Sequence, residues 1–76
     1  MSRDINRKNQ RAIALGERLR DLREDHDLHQ KDLASMLHID RSTYAYYELG
    51  RARPDYEALI LLAELYHVSL EYLLGQ

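Results

Sequence analysis

Four histidines and a scatter of carboxylates are the residues of this 76-residue chain that first suggest chemistry. His26 and His29 stand close together, His38 follows nine residues after His29, and His67 lies far off. A zinc site would need such ligands at recognisable spacing, usually with thiolates among them. The chain has no cysteine, and the histidine spacing matches no common zinc pattern, so neither a metal nor any other cofactor is expected. Histidine beside acid also suits acid–base catalysis. Nothing here supplies a nucleophile, a glycine-rich phosphate cradle or a cavity to go with it, and an enzyme is not expected. The other chemistry is ionic. The net charge of −2 hides a gradient. Residues 1–23 carry seven basic side chains (Arg3, Arg7, Lys8, Arg11, Arg18, Arg20, Arg23) against three acids. Residues 24–50 carry two against six, and residues 51–76 carry Arg51 and Arg53 against four. Which face can meet a polyanion depends on that distribution and not on the sum.

Such side chains must be held by helices. One proline and three glycines punctuate the sequence, and no stretch alternates with a period of two. Leu15, Leu19, Leu22 and His26 fall at helical spacing and predict a first helix over about Ile13–Asp25. Residues 1–12 are polar and basic, either a frayed extension of that helix or a flexible arm, and are set apart from a domain over residues 13–75. Leu33, Ala34 and Leu37 predict a second helix, Gln30–Leu37. Asp40 is placed to cap a third, Arg41–Leu49, and Gly50 to end it. After the loop Arg51-Ala52-Arg53-Pro54, Asp55 caps a fourth helix running to Tyr66, and Ser69 caps a last one, Leu70–Leu74, that Gly75 ends. Five helices with short connections predict an all-α bundle, small enough to be a single domain. The most apolar stretch, Ala58–Tyr66, is too short to span a bilayer. Met1-Ser2-Arg3-Asp4 has no apolar run behind it. With the lack of cysteine, this points to the cytoplasm.

The second and third helices, joined by a short turn with Ile39 pinning their angle, have the form of a helix-turn-helix unit. Six ordered pieces carry a resemblance over residues 13–75. They are Leu15-Gly16-Glu17-Arg18-Leu19-Arg20-Asp21-Leu22-Arg23; Leu28-x-Gln30-x-x-Leu33-Ala34; Ile39-x-Arg41-Ser42-Thr43; Tyr47-Glu48-x-Gly50 with Arg53-Pro54; Leu59-x-x-Leu62-Ala63; and Val68-Ser69-Leu70-x-Tyr72-Leu73-Leu74-Gly75. Together they resemble the Cro/repressor-type (xenobiotic-response-element) helix-turn-helix family of phage repressors and small bacterial regulators. The resemblance implies a lambda-repressor-like DNA-binding fold whose third helix enters the major groove. It implies base readout by Arg41, Ser42, Ala45 and Tyr46, with Arg41 suited to guanine, while Tyr44 and Tyr47 point inward. It implies phosphate contacts from Gln30, Arg51 and Arg53, although Gln30 also reads as a surface residue helping its own helix to start and a basic loop is usually just solvent-exposed; Thr43 is a candidate for a hydroxyl–phosphate or a methyl contact. Arg23 and Glu48 are either a structural ion pair, as the family often has, or two unrelated surface charges.

The chain departs from the family pattern at four places. His38 stands where glycine usually makes the left-handed turn, a conformation that histidine tolerates. His29 replaces a threonine cap, Asp27 replaces a glycine, and Asp40 sets a negative charge at the mouth of the third helix.

The fourth helix is apolar over about 200° of its circumference once Leu61 and Leu65 are counted, nearly twice what one buried face needs. Either the core beneath it is wide, or the helix meets a second copy through Leu61, Leu65, Leu70 and Tyr72. A two-fold dimer would set two recognition helices about 34 Å apart and require a near-palindromic operator. The expected function is that of a homodimeric, sequence-specific regulator of transcription bound to double-stranded DNA, in a bacterium or phage. With no second domain in view, no small-molecule ligand is expected. The rival reading is an antitoxin-like module that binds a partner protein as well as DNA.

Overall fold

The computed structural model describes the backbone of residues 2–75 and the side chains of residues 9–75. The basic side chains of Arg3, Arg7 and Lys8 therefore lie outside what is described, as do Met1 and Gln76 altogether. Among the described residues there are five helices and no strand: α1 (Ser2–Asp25), α2 (Gln30–Leu37), α3 (Arg41–Leu49), α4 (Tyr56–Tyr66) and α5 (Leu70–Leu74). Four of these match the predicted spans. The first starts about three turns earlier than its leucine periodicity indicates and runs unbroken through position 12, where Ala12 is already buried.

Each short helix ends for a local reason. Asp55 accepts from the Ala58 N–H and Ser69 from the Tyr72 N–H, each at 2.9 Å, which satisfies amides a helix start leaves open. Asp40 sits at the N-cap of α3 with extended backbone, but its carboxylate makes no cap hydrogen bond, contrary to its predicted role. His29 likewise makes no side-chain cap bond. Instead the Asp32 carboxylate accepts from the His29 N–H at 2.8 Å, the reciprocal half of a capping box. Gly50 ends α3 at φ 75°, where a side chain would be strained.

The core is built from Leu15, Leu19 and Leu22 of α1, Leu33 and Ala34 of α2, Tyr44 and Tyr47 of α3, Leu62, Ala63 and Tyr66 of α4, and Leu73 of α5. Leu19, Leu33, Tyr44 and Leu73 are sealed from solvent. Each such leucine contributes about 1.5–3 kcal/mol by leaving water. Burial pushes the Tyr66 phenol up to about 12, helped by the nearby Glu48 charge. Helices α1 and α3 press together at Gly16, where an added Cβ would lie 2.6 Å from the Tyr47 carbonyl oxygen. That approach brings Arg23 within reach of Glu48. At the other end, Arg18 Nη1 donates to the Leu73 carbonyl at 3.0 Å and the guanidinium lies 5.7 Å from the Tyr72 ring centre, fastening α5 to α1.

Candidate nucleic-acid interface

The turn between α2 and α3 is made by His38, Ile39 and Asp40. His38 adopts the left-handed conformation, φ 58° and ψ 44°, at a cost of about 1 kcal/mol relative to glycine. The turn is closed by the Ile39 N–H donating to the Ala34 carbonyl at 3.0 Å, while the Ile39 side chain packs on the core. Asp27, the other substitution for glycine, also sits at positive φ, 55°.

This turn leaves the first turn of α3 at the surface. Arg41 and Ser42 are exposed, and Thr43 and Ala45 are half-buried. The three tyrosines divide as helical geometry requires. Tyr44 is fully buried and Tyr47 nearly so, while Tyr46 is 48% exposed on the same side as Ser42.

Beneath that surface lies a buried carboxylate. The Glu48 side chain has no solvent contact. Arg23 Nε donates to Oε2 at 2.7 Å and Arg23 Nη2 to Oε1 at 3.1 Å. Gln30 Nε2 donates to Oε1 at 3.0 Å, and Arg20 Nε lies 3.7 Å from the same oxygen. Burial alone would raise the Glu48 pKa, but the hydrogen bonds from Arg23 and Gln30 outweigh it and hold the group below its ordinary value. The Tyr44 hydroxyl is buried with no hydrogen bond of ordinary geometry, and burial beside this carboxylate drives its pKa well up. Arg23 Nη1 also donates to the Leu28 carbonyl at 3.0 Å, so one guanidinium joins α1, the following loop and α3.

The network continues outward. Arg41 Nη1 donates to Gln30 Oε1 at 3.1 Å. Gln30 thus touches both the buried carboxylate and the exposed arginine, a link that sequence reasoning missed. The amide carries a second hydrogen that can also donate. Arg23, His29, Gln30, Lys31 and Arg41 line a shallow groove of about 380 Å³ at the start of α2. Arg23 is balanced by Glu48. Lys31, Arg41 and the positive end of α2 leave the groove suited to an anion.

Arg51 and Arg53 are exposed in the loop after α3, and among the described residues neither forms an ion pair. Arg53 borders a different cleft, shared with Arg11. The histidines are not gathered: His26 Nδ1 pairs with the Leu22 carbonyl at 2.8 Å and its ring lies 4.9 Å from that of Tyr66. Among the described residues no cluster of histidine and acids is placed to hold a metal ion, and no helix is long and apolar enough to cross a membrane.

The four residues predicted to form a dimer contact do not share one face. Leu61 and Leu65 line a groove with Met36 and Leu37 of α2. Leu70 lines a neighbouring groove with Ile60 and His67, and Glu64 borders both. Tyr72 lies on the α1 side, over Arg18. Leu49 and Tyr56, 50% and 71% exposed, are apolar surface that sequence reasoning did not single out.

Residues 19–73 match the family model described as Helix-turn-helix. An uncharacterised HTH-type transcriptional regulator of Bacillus subtilis, YobD, is 42% identical over 59 residues, covering 78% of this chain and 53% of the relative. The HTH-type transcriptional regulator ImmR of the same organism is 38% identical over 64 residues, covering 84% of this chain and 50% of the relative. The cryptic phage CTXphi transcriptional repressor RstR of Vibrio cholerae is 35% identical over 58 residues, covering 76% and 52%. The chain spans about half the length of these relatives.

Proposed function

Because the chain belongs to the helix-turn-helix family, we propose that it binds double-stranded DNA sequence-specifically and regulates transcription, acting by occupancy and without catalysis. The observation that carries this reading is the exposed first turn of α3, set beside a cationic groove at the start of α2. In this reading Arg41, Ser42, Ala45 and Tyr46 face base edges in the major groove. Gln30, Thr43, Arg51 and Arg53 hold backbone phosphates and set the docking angle. Gln30 gives its second amide hydrogen to a phosphate while its oxygen steadies Arg41. The pair Arg23–Glu48 stays inside and keeps α1, α2 and α3 in register.

The regulator acts as a homodimer on a near-palindromic operator. Leu61, Leu65 and Leu70 supply the contact around Glu64, since they border adjoining grooves on α4. Tyr72 would belong to a second patch. The relatives named above are regulators and repressors, some of bacterial or phage origin, which supports a cytoplasmic role of that kind.

Selection of bound sites from a random duplex pool tests the proposal. Enrichment of a symmetric site with half-sites about one helical turn apart is expected. Retention without enrichment, or a single unpaired half-site, would contradict sequence-specific binding or dimerisation respectively.

A further inference from the structure

A cleft lined by α1, the loop after α3, α4 and α5 has two features that duplex binding does not require. Its floor is apolar, with Leu15, Pro54, Leu59 and Leu74 among its walls, and its volume is about 360 Å³. That lies at the lower end of the range for small-molecule sites. Arg11 and Arg53 stand on its rim. Neither forms an ion pair among the described residues, and no carboxylate among them lines the cleft. Leu74 is 46% exposed and Leu59 half-buried, so an occupant can reach that part of the floor, while Leu15 and Pro54 lie buried.

We propose that this cleft binds a small anionic amphiphile, its acidic head held by the Arg11 and Arg53 guanidiniums and its hydrocarbon body laid on Leu59 and Leu74. The charge of the rim selects the head, because arginine forks pair with carboxylate or phosphate in planar, two-bond geometry. The apolar floor selects the body. A phosphodiester strand would use the rim but leave the floor wet, which is why the small ligand is favoured over an extension of the DNA contact. Occupancy removes Arg53 from the duplex, so the ligand and DNA compete. The competition rests on the phosphate role proposed for Arg53, whereas the binding does not.

The test uses the full chain without DNA, titrated calorimetrically with octanoate below its micelle concentration. Octanol lacks the charged head and acetate lacks the body. Saturable octanoate binding is expected, with both controls at least about tenfold weaker, and Arg11→Gln should weaken octanoate by about tenfold or more. No saturable octanoate heat, octanol binding as tightly as octanoate, or indifference to Arg11→Gln overturns the site. On a selected duplex, octanoate should weaken binding by the native chain but not by Arg11→Gln, whose duplex affinity without octanoate should stay native. Loss of duplex binding by Arg11→Gln would make the cleft a phosphate contact and overturn the proposal. If no duplex binds at all, the proposed DNA function fails, and the calorimetric arm still decides the cleft.

Discussion

Glu48 is a buried charge whose oxygens are held by Arg23 and Gln30. Removing one partner of such a pair leaves an uncompensated charge, at about 3–5 kcal/mol. Because the folded protein holds Glu48 below its ordinary value near 4.5, the sign of the linkage follows. Its contribution to stability is present above that value and is lost as the pH falls through the lowered one. Urea unfolding should show native stability declining with acidification across that window, and Glu48→Gln should be less stable near neutrality but flatter across it. Parallel pH profiles for the two proteins would contradict the role given to this carboxylate. The two surface arginines separate by a different measurement. Arg41→Ala should cost about 1–3 kcal/mol at one base pair and relax preference there. Arg53→Ala should weaken all duplexes alike and lower the salt slope by about one. Identical behaviour of the two variants on every sequence would remove the distinction. Arg23 and Glu48 were nameable from the sequence through a resemblance. The Gln30–Arg41 bond was not, because it depends on the angle at which α2 meets α3, and spacing along one chain carries no such angle.

Helix ends were legible wherever a residue has one dominant use. Gly50, Asp55, Ser69 and Gly75 each take the predicted backbone position, because few other residues serve there as well. The start of α1 was not legible, since residues 2–11 have too few apolar side chains to show a helical period. Nor did Asp40 close its cap bond, because a favourable residue type at an N-cap does not fix its side-chain rotamer. Helix α2 has a half-made cap: His29 gives no side-chain bond, and only the Asp32 carboxylate reaches back. His29→Ser should complete the reciprocal cap and stabilise the fold by about 1 kcal/mol. A shifted urea midpoint at unchanged slope would register this, and an unmoved midpoint would show that the open amides of α2 are already satisfied. Gly16→Ala should act in the opposite sense. Its methyl would meet the carbonyls of Tyr47 and Glu48, and overpacking of that kind costs about 1–3 kcal/mol. The loss would appear in the same measurement.

A single copy presents one recognition helix, and a single half-site gives little discrimination among genomic sequences. Two copies related by a two-fold axis double the contacts and fix their separation, so dimerisation is where affinity and spacing become one property. The residues named for the contact offer two places for that axis. One is the outer face of α4, where Leu61 is 47% exposed beside half-buried Leu65. The other is the α1–α5 side, where Tyr72 is 50% exposed. The α4 face is favoured because Leu61, Leu65 and Leu70 border two grooves that meet at Glu64, whereas Tyr72 already has Arg18 over its ring. Leu61→Asp places a charge in that surface without touching the core. On the proposed dimer, it should sediment as a monomer at concentrations where the native chain is expected to pair, while its affinity for an isolated half-site stays native. Binding to the full operator should then lose its dependence on half-site spacing. In the native protein, inserting about half a helical turn between half-sites should abolish the gain from the second site. If Leu61→Asp remains dimeric and Tyr72→Asp separates the chains, the axis lies on the α1–α5 side, and the wide apolar arc of α4 serves some other contact.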